Sequence, residues 1–284
     1  MKPSLEVFHD EGRLTARDGL GLYEQWWLPE TDARAVVILV HGLAEHSGRY
    51  ATTAEDLCRH GYAVYAADLR GHGRSDGRRC FVRSLDQCLD DLDVLVDDVR
   101  RRRPDKPLFL MGHSLGGLIA VRWCMTRDPD LRGLVLSAPA LRLPDDLFPI
   151  LRHVAGWVGR LFPRLGVVRM GGANISRDPA VVERFRADPL VFHGRFPAGT
   201  GAAVFRAIRQ AAGRLDAIRL PLLVLHGTAD RVCSAAGSRE LCRAAASQDK
   251  LLHLYEGLYH ELLSEPERDA VLADLTAWLD KRSV

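Results

Sequence analysis

The segment Gly112-His113-Ser114-Leu115-Gly116, followed by Gly117, sets a serine between two glycines at a spacing that suits a nucleophile. It comes directly after the apolar run PLFLM (107–111) and before LIAVRWCM (118–125), so the serine stands at a strand-to-helix turn. A turn that sharp strains the backbone at the serine, and strand and helix can approach only if the flanking residues are small, as Gly112 and Gly116 are. A plain glycine turn can carry the same letters; the strand before it and the helix after it set this one apart. A serine hydroxyl is a weak nucleophile near neutral pH, so this chemistry needs a base. Among 11 histidines, His260 is best placed, in Gly257-Leu258-Tyr259-His260-Glu261 at the end of a strand-like stretch. The base in turn needs a carboxylate to fix its tautomer, and Asp230 ends PLLVLHGTAD, just past another apolar run. An isolated Asp in that place usually caps a helix, but its position relative to Ser114 and His260 favours the orienting role.

The chain order is Ser, Asp, His, which is the order of α/β-hydrolases and differs from both chymotrypsin-type and subtilisin-type enzymes. Acyl transfer also needs donors for a developing oxyanion. The loop His41-Gly42-Leu43 emerges from AVVILV (35–40), and the backbone N–H groups of Leu43 and Leu115 are the predicted donors. A second glycine-rich stretch, Asp68-Leu69-Arg70-Gly71-His72-Gly73-Arg74-Ser75, lacks the Gly-Lys-Ser/Thr of a phosphate loop and reads as a structural turn.

Such a constellation has to be held by a sheet. Runs at 35–40, 62–67, 107–111, 133–138 and 221–225 are β-rich and often apolar at consecutive positions, as strands buried on both faces should be. Helical spacing at 50–60, 85–103, 115–127, 235–246 and 267–281 supplies the crossovers. LTARDG and LYEQWWLP, joined at Gly19 to Gly21, read as an antiparallel hairpin at one edge. The run Arg100 to Arg103 before Pro104 reads as a solvated helix end. The fold expected is α/β, a mostly parallel eight-stranded sheet flanked by helices, with a helical cap inserted after the sixth strand. Its parts are a core over 1–140, a cap or lid over 141–215, where no good strand candidate occurs, and the rest of the core over 216–284. Within the cap, Leu147, Ile150, Leu151, Val154, Trp157, Val158, Leu161 and Leu165 recur at helical spacing with Arg152, Arg160 and Arg164 between them. That stripe can serve as a pocket lid, or as a lid that also touches a lipid interface.

Composition bounds the rest. With 284 residues, 47% of them hydrophobic and 27% charged, the chain has the makeup of an ordinary globular protein. Basic and acidic residues number 39 and 37, a net charge of +2, which excludes the strongly basic footprint of a nucleic-acid binder. The six cysteines are scattered without a C-x-x-C, so reduced thiols and no metal site are expected. The start MKPSLEVFHDEGR lacks a signal-peptide core and no apolar run reaches about 18 residues, which points to a cytoplasmic protein with at most a peripheral membrane contact.

Taken together, HGLAEHSGRY (41–50), DLRGHGRS (68–75), GHSLGG (112–117), LSAPA (136–140), ISRDP (175–179), LHGTADRVC (225–233) and YEGLYHEL (255–262) resemble the monoacylglycerol lipases over nearly the whole chain. The resemblance implies hydrolysis of monoacylglycerols, or a similar small lipid ester, to glycerol and a fatty acid without a cofactor. It implies the same Ser114, Asp230 and His260 and the same two oxyanion donors, and it places Glu45, His46 and Arg49 near the glycerol end of the pocket. From spacing alone, Glu45 and Arg49 could equally pair with each other and brace the oxyanion loop. Phe185 stands where some relatives carry a tyrosine, so no polar contact to glycerol is expected from it. Cys233, three residues after Asp230, is either a target for thiol reagents or a small buried hydrophobe. A general carboxylesterase or lysophospholipase would use the same residues on another leaving group. A non-catalytic ligand-binding relative would lack a triad member, and none is missing here.

Overall fold

The computed structural model describes residues 6–127, 129–144, 159–169 and 172–283. Eight strands form one sheet: β1 (Val7–Thr15), β2 (Gly21–Pro29), β3 (Ala35–Val40), β4 (Tyr62–Ala67), β5 (Leu108–His113), β6 (Gly133–Ser137), β9 (Leu222–Gly227) and β10 (Lys250–Tyr255), while β7 (Gly166–Val168) and β8 (Phe196–Pro197) pair separately. The order across the sheet is β1-β2-β4-β3-β5-β6-β9-β10. Pairings from β4 onward are parallel, and β1 with β2 and β2 with β4 are antiparallel.

Alternation along the strands sorts the core into two layers. Val36, Ile38, Val40, Leu108, Leu110, Leu134, Leu136, Leu222 and Val224 face one side. There they meet α2 (Leu85–Arg102), α3 (Leu115–Arg127), α5 (Ala198–Ala212) and α6 (Ala235–Ala244). Val37, Leu39, Phe109, Met111, Val135, Leu223 and Leu225 face the other, against α1 (Ala51–Arg59) and α7 (Arg268–Asp280). Because both faces are covered, strands β3, β5, β6 and β9 are buried at every position, which is why they read as unbroken apolar runs.

Two local readings change, and a third gains a contact. The edge strand β1 starts at Val7 and ends at Thr15, earlier than the LTARDG segment; six of its nine residues are exposed, so it carries no apolar pattern to read. The chain between β6 and β9 is not purely helical, since β7 and β8 form a short antiparallel ladder beside α4 (Pro179–Ala187) and α5. The end of α2 is solvated as expected, with Arg101 and Arg102 exposed, but Arg102 also pairs with buried Glu24 at 2.5 Å and its guanidinium lies 4.4 Å from the Trp26 ring centroid. Of the apolar stripe in the cap, Leu147 to Val158 lie outside the described residues, whereas Leu161, Phe162 and Leu165 are exposed. Among the described residues, no helix is long and apolar enough to cross a membrane.

Candidate active site

Parallel strands aim their C-terminal ends at one edge of the sheet, where ligands of open α/β sheets bind. Ser114 follows β5, the loop bearing Leu43 follows β3, Asp230 follows β9 and His260 follows β10, so residues far apart in the chain arrive at that edge together. Ser114 sits at φ +52°, a left-handed conformation that costs a residue with a Cβ on the order of 1–3 kcal/mol. Its N–H donates to Ser137 O and its carbonyl accepts from Ala140 and Leu118 N–H, which fixes the turn. A Cβ at Gly112 would lie 2.5 Å from Gly116 O, and one at Gly116 would overlap the Val40 carbonyl, so both positions require glycine for close approach.

His260 Nδ1 is 2.7 Å from Asp230 Oδ2, and both side chains are buried. Asp230 Oδ1 accepts from the Val232 and Cys233 N–H groups at 2.7 and 3.0 Å. Burial alone would push the Asp230 carboxyl up, but His260 and His226 beside it outweigh this and hold it well below the ordinary carboxylate range. For His260 burial works downward, the Asp230 carboxylate works upward, and the net shift is upward. His113, whose ring centroid lies 4.7 Å from that of His260 with the planes tilted by 54°, is pushed down to about 3 by burial and by His260, and therefore stays neutral.

Ser114 Oγ lies 3.9 Å from Cys233 Sγ and makes no hydrogen bond to His260. Both residues line the same cavity, and in ligand-free hydrolases such bonds often tighten only when substrate binds. The Leu43 and Leu115 amides belong to residues lining that cavity and, among the described residues, donate to no protein acceptor, unlike Gly42 N–H, which is taken up by Glu45 Oε1 at 2.5 Å. The Cys233 thiol is buried and pushed up, first by burial and then by Asp230, so the small-hydrophobe reading fits it better than a reactive thiolate.

The cavity at Ser114 has a volume of about 180 Å³ and an apolar wall that includes Leu143, Val167, Val168, Phe192, Phe196 and Val204. A second, polar cavity of about 510 Å³ lies beyond, and Glu45, Arg49, His113 and Glu261 border both. These four form a partition. Arg49 Nη1 reaches Glu45 Oε2 at 2.6 Å and Glu261 Oε1 at 2.7 Å, Nη2 reaches Glu261 Oε2 at 2.8 Å, and Tyr50 O–H donates to Glu45 Oε1 at 2.8 Å. The guanidinium also lies 4.8 Å from the Phe185 ring centroid. Glu45 and Arg49 thus pair with each other, and Glu45 also holds the loop after β3 through Gly42 N–H, while both line the cavity at Ser114. His46 is turned to Asp188 at 2.9 Å and borders neither cavity. Asp68 accepts from Ser47 and Arg74 N–H, so the turn at 68–75 satisfies buried backbone. Glu261, His113 and His226 were not singled out in the sequence; only the adjacency of Glu261 to His260 and the four-residue step from His226 to Asp230 hinted at them. Among the described residues, no cluster of three or more His, Cys, Asp or Glu is placed to hold a metal ion.

A doubly covered, mostly parallel sheet with a strained serine turn at its C-terminal edge defines an α/β-hydrolase. The family model Hydrolase_4, described as serine aminopeptidase, S33, matches residues 31–267, and the chain belongs to this family. It is 41% identical to a monoacylglycerol lipase of Mycolicibacterium smegmatis over 92% of this chain and 93% of that one. To the monoglyceride lipase of Rattus norvegicus it is 32% identical over 99% of this chain and 93% of the relative. The crystal structure of Paleococcus ferrophilus monoacylglycerol lipase superposes with a TM-score of 0.82 at 31% identity, covering 98% of this chain and all of that one.

Proposed function

We propose that this chain hydrolyses monoacylglycerols to glycerol and a free fatty acid through an acyl-enzyme on Ser114. The Ser114 Oγ attacks the ester carbonyl while His260 takes its proton, and the oxyanion is held by the Leu43 and Leu115 N–H groups. His260 then returns that proton to the leaving glycerol oxygen as the C–O bond breaks. Water repeats the sequence on the acyl-enzyme, with His260 again as base, and the fatty acid leaves. Asp230 stays ionised and holds the imidazole in the tautomer whose Nε2 can accept.

The observation that carries this reading is the buried His260–Asp230 bond in an apolar cavity also lined by Leu43 and Leu115, whose amides donate to no acceptor among the described residues. The relatives support the choice of a monoacylglycerol over other esters. In this reading, 141–215 serves as the lid over the acyl pocket, and Arg49 and Glu45 hold the oxyanion loop at the glycerol side. The exposed run Arg160-Leu161-Phe162 with Arg164 and Leu165 leads into Val167 and Val168 on the cavity wall, an arrangement suited to touching a lipid surface while the pocket takes substrate. A fluorophosphonate probe is expected to label the native chain and not Ser114→Ala. Turnover is expected to be faster on monoacylglycerols than on di- and triacylglycerols or lysophospholipids, and the reverse order would assign another substrate.

A further inference from the structure

We propose that His226 is a positioning residue for this chemistry, holding the Asp230 carboxylate for His260 and itself held by Ser238. The proposal rests on the assignment of Ser114, Asp230 and His260 made above. His226 is the next-to-last residue of β9 and fully buried, a costly place for a polar ring unless both nitrogens are satisfied. They are. Nε2 lies 3.2 Å from Asp230 Oδ2 and 3.1 Å from Cys233 O, and Nδ1 lies 2.7 Å from Ser238 Oγ at the first turns of α6.

The tautomer follows from these partners. A carboxylate and a carbonyl can only accept, so Nε2 carries the proton and shares it between them. In the neutral ring Nδ1 then accepts from the Ser238 hydroxyl, which is also buried. The result is a directed chain, Ser238 O–H to His226 to Asp230, ending on the oxygen that receives His260 Nδ1–H. With this bond, Asp230 has two donors on each oxygen, Val232 and Cys233 N–H on one, His226 and His260 on the other, and any partial rotation of the carboxylate breaks some of the four. The Cys233 carbonyl held by the same Nε2–H fixes the turn that sets Cys233 beside Ser114.

The donor also withdraws charge from Oδ2. Removing it concentrates the carboxylate's charge on His260, which raises the imidazole pKa and moves the acidic limb of kcat/KM to higher pH. The other titratable groups facing His260, namely His113, Glu45 and Glu261, are left in place by this change. Ser238 polarises the ring and makes Nε2–H the better donor, so its loss acts in the same direction with smaller size.

The test uses the full chain and 4-nitrophenyl butyrate, with His226→Leu, His226→Gln and Ser238→Ala beside Ser114→Ala and Asp230→Asn. His226→Leu fills space without a donor and is expected to lower kcat by about tenfold or more, the worth of one charge-assisted bond, with KM within about twofold. Its acidic limb is expected about half a unit higher. His226→Gln, which keeps an N–H near the same place, is expected to restore both. Ser238→Ala is expected to show the limb shift in smaller form, and it decides the matter if His226→Leu does not fold. A native limb and native kcat in His226→Leu, an equal loss in His226→Gln, or an unmoved profile in Ser238→Ala would each overturn the proposal. Turnover surviving in Ser114→Ala would instead sink the underlying assignment, and this inference with it.

Discussion

Replacing Asp230 by Asn keeps shape and removes charge, and the structure says how the amide must settle. Its one oxygen has two competing sets of donors: the rigid Val232 and Cys233 N–H groups at 2.7 and 3.0 Å, or the rings of His260 and His226. Backbone donors cannot turn away, whereas an imidazole can change tautomer, so the oxygen stays with the turn and the NH2 faces His260 Nδ1. That nitrogen must then accept, its proton moves to Nε2, and Nε2 can no longer take the proton of Ser114 as the proposed mechanism requires. A wrong tautomer in a serine triad costs about 10^4-fold in kcat, or about 5 kcal/mol of transition-state stabilisation. The lost Nδ1–H bond is charge-assisted and its loss is compounded by a buried NH2 facing His226 Nε2–H, so stability should fall as well, by about 1–3 kcal/mol. Steady-state kcat on 4-nitrophenyl butyrate, with thermal melts at the same pH, separates the two effects. An Asn variant within tenfold of native kcat would refute the argument, because the tautomer would then not depend on Asp230.

Since the proposed mechanism needs a neutral His260 as base and Asp230 raises its pKa, kcat/KM is expected to fall with decreasing pH through a limb centred above the ordinary imidazole value of about 6.5; a limb below that value would contradict the proposal. Gly116→Ala forces a methyl into the Val40 carbonyl, and loss of probe labelling together with a Tm decrease is expected, equivalent to roughly 2 kcal/mol or more. Arg49→Leu strands Glu45 and Glu261 without their cation and is expected to cost about 3–5 kcal/mol in denaturant melts at pH 7. Because burial already raises the Glu261 carboxyl, that deficit should shrink as pH is lowered and Glu261 takes up a proton. A paired Leu161→Asp, Phe162→Asp variant is expected to lose co-flotation with vesicles of phosphatidylcholine and phosphatidylglycerol while keeping turnover of soluble esters; unchanged flotation would dismiss the lipid contact.

Much of this architecture could be read in the residues because its causes are local or compositional. Gly112 and Gly116 declare the turn around Ser114 since a Cβ at either would meet backbone, and β3, β5, β6 and β9 declare themselves by burial on both faces. What escaped depends on partners far along the chain. Arg49 and Glu261 are separated by 212 residues, so nothing in either neighbourhood signals the partition they build between the two cavities. The resemblance pointed to Arg49 without saying that three of its hydrogen bonds go to the two buried carboxylates. β1 escaped for the opposite reason, being an exposed edge strand whose side chains need satisfy only water and β2.

Strands β6 and β9 are adjacent and parallel, paired from Leu134–Leu222 to Ser137–Leu225. One helix suffices to join such neighbours, and α5 already makes that return journey. Within the proposed lid over 141–215, the described residues 159–169 and 172–197 are chain additional to that one helix. Lengthening such a detour costs little closure entropy, roughly 0.6 kcal/mol for each doubling. The proposed catalytic residues Ser114, Asp230 and His260 follow β5, β9 and β10, outside that stretch, so new ester preferences can be sought by grafting there.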